Sequence, residues 1–474
     1  MLFPTIQFFA FLAVTLAAFY ASPRAWRKYI LLVASYFFYA SWNWKFIPLL
    51  LSLTAIDYLA GMWIERAGAR WKKPALLMSL AANLGFLGFF KYYNFLAALV
   101  AEIARRPEHA FALNIVLPLG ISFHTFQSMS YVVDVYRGEQ QAIRNPVDYA
   151  LFICFFPQLV AGPIVRARVF FADFFNWRPP TNDDLTRGIF LVTLGLVKKK
   201  AFADQFAQVA DIYFKSVPAH PGMLEAWAGT FAFGMQIFFD FSGYTDMAIG
   251  LAKLLGFHFP ENFRRPYLAA SITEFWRRWH ISLSSWLRDY LYITLGGNRG
   301  GVWKTYRNLM LTMLLGGLWH GASWNFMVWG GYHGALLSIE RMFRTLRGDR
   351  AETSEWTWSY PARALLTFAL ALIGWVFFRA ANLTESLHVI GQMFTSPHGR
   401  FPLNAWQKGL AITALLVALV EEKFDWSERL VSGPTWAYSS ALACLLLVLE
   451  MFGDRKSTRL NSSHIQKSRM PSSA

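Results

Sequence analysis

The chain has 474 residues, 55% hydrophobic, 18% aromatic and only 16% charged, where a soluble domain carries about a quarter charged residues. With a mean hydropathy of +0.30, this composition excludes a water-soluble globule and points to an all-α bundle in a membrane. The net charge of +16 sits in short clusters between apolar runs (Arg24, Arg27 and Lys28; Arg70, Lys72 and Lys73; Lys198 to Lys200; 341–350). That is the pattern of cytoplasmic loops and anionic headgroup contacts, and no nucleic-acid-binding motif accompanies it.

The first apolar run, Phe8 to Tyr20, is followed by Ser22-Pro23-Arg24. It has no basic leader and no small-residue cleavage site, so it is expected to be a retained helix with its C-terminal end toward the cytoplasm and the N-terminus outside. Further spans are expected near 29–41, 45–62, 75–90, 114–134, 147–164, 187–208, 224–253, 307–319, 322–341, 362–379, 408–421 and 435–452. This makes about ten to twelve membrane segments. Those broken by Gly or Pro are expected to be re-entrant or covered by neighbours. No internal repeat is visible, which weighs against many secondary transporters.

Trp42, Trp44, Trp63, Tyr92, Tyr93, Trp303 and Tyr306 read as interfacial belts, with an aromatic carbohydrate groove as the alternative. Cys154 and Cys444 have neither disulfide nor zinc spacing and read as small buried hydrophobes. The alternative for Cys154 is an acyl carrier.

Ionisable residues inside an apolar bundle are costly, and are retained for function or in pairs. They are dense between Phe239 and Gly334, in three stretches. In Phe239 to Gly250, Asp240 and Asp246 interrupt an apolar run, and Ser242 shares a helix face with Asp246. Both acids either pair with Arg264 and Arg265 or cap a helix beside Gly243, or they position a substrate. Ser271 to Ile293 reads as one amphipathic interfacial helix, with Phe275, Trp279, Leu283, Trp286 and Tyr290 as its stripe and Arg277, Arg278, Arg288 and Asp289 off it. Ser271 and Glu274 form a capping box at its start. His280 lies in its middle, as a hydrogen-bonded structural residue or a catalyst.

The third stretch, Leu315 to Asn325, places His320 among glycines and tryptophans. Burial keeps such an imidazole neutral unless a carboxylate offsets it, and a neutral imidazole suits a general base. A core histidine bonded to a carbonyl is the bland alternative, and His333 is a weaker candidate of the same kind. Walker A, G-x-S-x-G, H-E-x-x-H and dinucleotide motifs are absent, which leaves ATP-driven transport and serine-triad hydrolysis without support. No metal site is expected.

The last 21 residues read DRKSTRLNSSHIQKSRMPSSA, polar and aperiodic. A sequencing-adapter reading frame encodes Asp454 to His464. Residues 454–474 are therefore expected to be a non-native tail, with the natural chain cut off near Gly453. The alternative is a natural disordered tail.

Leu117 to Glu139 (LPLGISFHTFQSMSYVVDVYRGE), Phe155 to Ala167 (FFPQLVAGPIVRA), the Asp240 region, ENFRRPYLAASITEFWRRWHISLSSWLRDYLYI and GGLWHGASWNFMVWGGYHG together resemble the membrane-bound O-acyltransferase family. The nearest branch contains the alginate O-acetylation membrane subunit and the D-alanyl transfer protein of teichoic acid. The resemblance spans 1–453 as one membrane domain and implies helices around a central funnel or tunnel. It matches the family's near-invariant histidine to His320 and its second histidine to His280.

It further implies transfer of acetyl from a cytoplasmic thioester, acetyl-coenzyme A, to hydroxyls of an exopolysaccharide such as alginate. The acceptor would be reached directly or through a periplasmic acetyltransferase partner, at a bacterial inner membrane and without a permanently bound cofactor. Asp240, Ser242, Asp246, Arg277, Trp279, Trp319, Trp324, Asn325 and His333 are the candidates for holding donor or acceptor. O-acylation of peptidoglycan, cellulose or teichoic acid is the alternative within the family. A proton-coupled transporter relaying through Asp240, Asp246, His280 and His320, or a non-catalytic export scaffold, is the alternative outside it.

Overall fold

Long apolar runs with few internal breakers leave the backbone only its own carbonyls to bond to, and the chain answers with helices. The computed structural model describes residues 3–107, 109–159, 162–348, 358–395, 399, 403–424 and 426–453, and no strand occurs among them. The tail 454–474 and the end of the 341–350 basic cluster lie outside the described residues. The chain divides into two units, one of residues 1–192 and 247–260, the other of 193–246 and the chain from 261 onward.

The first unit holds α1 (Ile6–Ala21), α2 (Arg24–Asn43), α3 (Ile47–Arg66), α4 (Ala69–Ile103), α5 (Ile121–Arg137), α6 (Pro146–Cys154), α7 (Phe156–Leu159), α8 (Ala167–Phe175) and most of α9 (Asn182–Val197). Asn145 caps α6, accepting from the Val147 amide at 2.9 Å, and Pro146 supplies the preset first turn. Two expected spans are corrected. The run 114–134 becomes helical only at Ile121, because Pro118 and a left-handed Gly120 (φ +70°) precede it. A Cβ at Gly120 would stand 2.3 Å from the Leu159 carbonyl oxygen, so that backbone crossing requires glycine. The run 147–164 breaks after Cys154, where Phe155 leaves helical geometry and Pro157 follows.

Two buried acids inside this unit are paired. The fully buried Asp57 of α3 accepts from Ser79 Oγ (2.6 Å) and Asn83 Nδ2 (2.7 Å) of α4, and Lys28 meets Asp148 at 2.8 Å. Helix α4 is 35 residues long and carries Pro74 inside it. Tyr92 and Tyr93 thus fall within a helix rather than at its end.

The second unit contains a π-helical turn (Lys198–Ala203), α10 (Asp204–Lys215), most of α11 (Met223–Leu254), α12 (Ile272–Arg278), α13 (Ile281–Trp286), a second π-helical turn (Leu287–Tyr292), α14 (Val302–His320), α15 (Trp324–Arg347), α16 (Tyr360–Arg379), α17 (Leu383–Thr395), α18 (Ala405–Phe424), α19 (Trp426–Val431) and α20 (Thr435–Gly453). Helices α14 and α15 form a tight hairpin. A Cβ at Gly317 would lie 2.2 Å from the Phe326 carbonyl oxygen, and one at Gly330 would lie 2.3 Å from that of Met313. Small residues let the two backbones approach, as in membrane helix pairs.

The chain is an all-α, multi-pass membrane protein. Among the described residues, four helical stretches are long and apolar enough to cross a bilayer by themselves: 24–66, α4, α16 and 435–452. Apart from the two corrected above, the other expected spans are helical, but several carry polar side chains, such as Asp240 and Asp246 on α11, that need protein around them. Trp44, Trp63 and Trp303 are exposed near helix ends, as a belt requires. Cys154 is buried as expected, whereas Cys444 is exposed on α20, because that helix turns little of its surface toward protein.

Candidate active site

The segment expected to be one amphipathic helix from Ser271 to Ile293 is broken at its centre. Its start is as read: the Glu274 amide donates to Ser271 Oγ at 3.1 Å, and the Glu274 carboxylate accepts from the Ala270 amide at 2.7 Å. Helix α12 then ends at Arg278, Trp279 is extended, and His280 takes a left-handed conformation (φ +43°) before α13 begins. Such geometry is uncommon for a side chain other than glycine and persists where surroundings impose it.

Here two backbone bonds impose it. The Arg264 amide donates to the Arg278 carbonyl and the Ile281 amide to the Asn262 carbonyl, both at 2.9 Å. The stripe survives the break, with Phe275, Trp279, Leu283 and Trp286 all buried.

His280 is 1% exposed. Phe241 meets its ring edge-on at 4.7 Å, and Phe263 stacks at 6.2 Å. Burial pushes its pKa well below the ordinary histidine value, and the nearby His320 pushes the same way. Asn262, fully buried, places Oδ1 3.2 Å from His280 Nδ1.

His320 is the last residue of α14 and is 7% exposed. Its ring is walled by Trp319 (4.8 Å between centroids), Trp329 (5.0 Å) and Phe378 (5.2 Å). Trp319 also lies 6.4 Å from the His280 ring and so flanks both imidazoles. His333, buried on α15, packs on Trp329 at 5.0 Å and Trp276 at 5.1 Å. A Cβ at Gly374 would come within 2.7 Å of His333 Nε2, so that glycine makes the room. Three histidines thus share one aromatic cluster, an arrangement able to hold a neutral base away from bulk water.

The remaining candidates divide. Trp279 is buried against Trp375 at 4.8 Å and Trp319 lies in the histidine cluster, but Arg277 and Trp324 are exposed. Asn325 is tied down, donating from Nδ2 to the Ala380 carbonyl at 3.0 Å. Ser242 is fully buried on α11. The expected pairing of Asp240 and Asp246 with Arg264 and Arg265 is corrected. Their partners are lysines of the π-helical turn, Lys199 to Asp240 at 2.7 Å and Lys198 to Asp246 at 2.5 Å. The wide turn, pressed against α11 where Gly243 leaves space (a Cβ there would meet the Gly195 carbonyl at 2.8 Å), aims two successive lysines at that helix.

Sequence reasoning gave no site role to Asn262, Lys198 or Lys199. The signal for Asn262 was an uncharged amide beside the basic pair Arg264 and Arg265. For the lysines no local signal existed. Among the described residues, no group of three His, Cys, Asp or Glu side chains is arranged to hold a metal.

A family model described as MBOAT, membrane-bound O-acyltransferase family, matches residues 142–384. The chain is 46% identical to a probable alginate O-acetylase of Azotobacter vinelandii, over 87% of this chain and 82% of the relative. It is 38% identical to a peptidoglycan O-acetyltransferase of Helicobacter pylori, over 83% and 80%. It is 30% identical to a teichoic acid D-alanyltransferase of Bacillus subtilis, over 56% and 69%.

Proposed function

The chain belongs to the membrane-bound O-acyltransferase family, and on that footing we propose that this O-acyltransferase moves acetyl from a cytoplasmic thioester, acetyl-coenzyme A, toward hydroxyls of an alginate-type exopolysaccharide. The observation that carries the chemistry is the enclosure of His320 by Trp319, Trp329 and Phe378, with His280 against the same Trp319. His320 takes the proton of the acceptor hydroxyl as that oxygen attacks the thioester carbonyl. The carbon–sulfur bond breaks, the ester forms, and the proton passes from His320 to the departing thiolate.

A thiolate leaves without strong acid help, so one base suffices. Positioned base catalysis contributes typically about 10²–10⁴-fold, and holding both reactants in a dry site supplies much of the rest. His280 orients the acceptor or holds His320 in its working tautomer. Basic residues at a cytoplasmic mouth attract the donor's phosphates.

The high identity to alginate O-acetylases supports an alginate-like acceptor. The proposal includes an inner-membrane location and periplasmic partners that complete the transfer. The peptidoglycan relative makes that polymer the second reading. The test is complementation of a strain lacking its own membrane acetyltransferase, with acetyl esters counted on each polymer. Esters on the exopolysaccharide are expected, falling by about 10² or more with His320→Ala at equal membrane abundance. Wild-type ester levels in that variant overturn the reading, and esters confined to peptidoglycan move it to the second polymer.

A further inference from the structure

His280 sits at a left-handed backbone step, where its ring direction is set by what its neighbours bond to. Asn262 is the principal neighbour. Its Oδ1 accepts from the Ser282 amide at 3.0 Å and from Ser282 Oγ at 2.9 Å, and lies 3.2 Å from His280 Nδ1. The backbone of the same residue accepts from the Ile281 amide at 2.9 Å. The orientation of the amide is fixed by chemistry: the Ser282 N–H must point at an acceptor, so the atom facing His280 is oxygen, not nitrogen.

An amide oxygen only accepts. A lone pair on Nδ1 at 3.2 Å would face the oxygen's own lone pairs, whereas an N–H there completes a hydrogen bond. The Ser282 hydroxyl offers no competing donor, since it lies closer to Asn262 Oδ1 (2.9 Å) than to His280 Nδ1 (3.5 Å). A buried, neutral imidazole carries one proton, so a proton on Nδ1 leaves the lone pair on Nε2.

We propose that Asn262 is a positioning residue that locks the His280 tautomer, holding the proton on Nδ1 and presenting Nε2 as the acceptor nitrogen for a second hydroxyl of the substrate, beside the one His320 deprotonates. The inference rests on the acyl-transfer reading for what Nε2 does, but not for where the proton sits. Asn262 acts through His280, and its loss frees the ring to exchange tautomers or to turn.

The test uses the full chain, ¹⁵N-labelled at histidine, in lipid nanodiscs, with the His280 signals assigned by difference from His280→Gln. Wild type is expected to show a protonated Nδ1 and an unprotonated Nε2. Asn262→Leu, near in volume and without an acceptor, is expected to lose that signature. Its kcat should drop by about 10–100-fold, the range found when a partner that orients a metal-bound histidine is removed, with KM for acetyl-coenzyme A nearly unchanged. Asn262→Asp, which keeps the acceptor oxygen, is expected to keep the Nδ1 proton and recover part of the rate. A wild-type spectrum with the proton on Nε2 overturns the proposal even if no variant folds, as does a Leu variant with unchanged tautomer and kcat. Full activity in His320→Ala instead removes the acyl-transfer reading and leaves the tautomer result standing.

Discussion

The indole of Trp329 meets the imidazole of His320 edge to face, with centroids 5.0 Å apart and planes at 83°. The same indole contacts His333 at 5.0 Å and Trp276 at 5.6 Å, so one buried ring spaces two histidines. Trp329→Ala is expected to cost about 3–5 kcal/mol of stability and to depress turnover by admitting water. Trp329→Phe should retain more of both. Thermal unfolding in detergent beside an ester-formation assay checks this, and an Ala variant as stable and active as wild type contradicts it.

His320→Glu separates acyl transfer from proton transport. A relay would keep some coupled flux through an acidic replacement, whereas the transfer reading predicts loss of ester formation by about 10² or more and no flux in either form. Proteoliposomes with a pH-sensitive dye inside give the answer, and flux that survives in the variant favours the transporter.

Gly330→Ala tests the α14–α15 crossing, where the added methyl would sit 2.3 Å from the Met313 carbonyl. Overpacking of this kind costs about 1–3 kcal/mol. Gly85→Ala, inside α4 with nothing within 4 Å, is the control and should leave stability unchanged or raise it by up to about 1 kcal/mol. Equal midpoints for the two variants would contradict the close approach.

The Lys198–Asp246 pair at 2.5 Å predicts non-additivity. Lys198→Ala strands a half-buried carboxylate, and breaking one side of such a pair costs up to about 3–5 kcal/mol. The double variant Lys198→Ala/Asp246→Ala should be less destabilised than the single one. Simple additivity in a double-mutant cycle would deny the pair its role.

Acid should weaken the fold through His280. Burial, then the neighbouring His320, places its folded pKa below the unfolded value of about 6.5. Above that pH both states are neutral and nothing changes. Below it the unfolded chain takes a proton that the folded one refuses, so stability falls as pH drops from about 6.5 toward the folded pKa, by up to about 1.4 kcal/mol per pH unit. Unfolding midpoints between pH 5 and 7 should slope less in His280→Gln than in wild type.

Helix existence was legible in the sequence because apolar run length is a local property, and α1 to α4, α11, α16 and α20 lie where the runs do. The break at His280 was hidden because the apolar stripe continues across it. Trp279 and Leu283 remain buried on either side of the left-handed step, so a period near 3.6 reports burial rather than continuous helix. The partners of Asp240 and Asp246 were misread because Arg264 and Arg265 are near in sequence, while Lys198 and Lys199 arrive from the preceding helix through a π-helical turn. The glycines beside His320 were visible in the sequence, but that Gly317 meets α15 and Gly330 meets α14 backbone to backbone was not, because the facing helix is fixed only by the hairpin. The contact of Asn262 with His280, 18 residues away, depends on backbone pairing that no periodicity encodes.

Helix α4 sets a condition on the lipid. Thirty-five residues at about 1.5 Å each extend roughly 52 Å, against a hydrocarbon slab of about 30 Å. Either the rod leans or its ends stand in the headgroup layers, with Arg70, Lys72 and Lys73 at one of them. Ser79 and Asn83 ride on this rod while gripping Asp57. A change in bilayer thickness would therefore be felt as shear on that buried acid, and the host membrane's acyl-chain length becomes a variable of the fold.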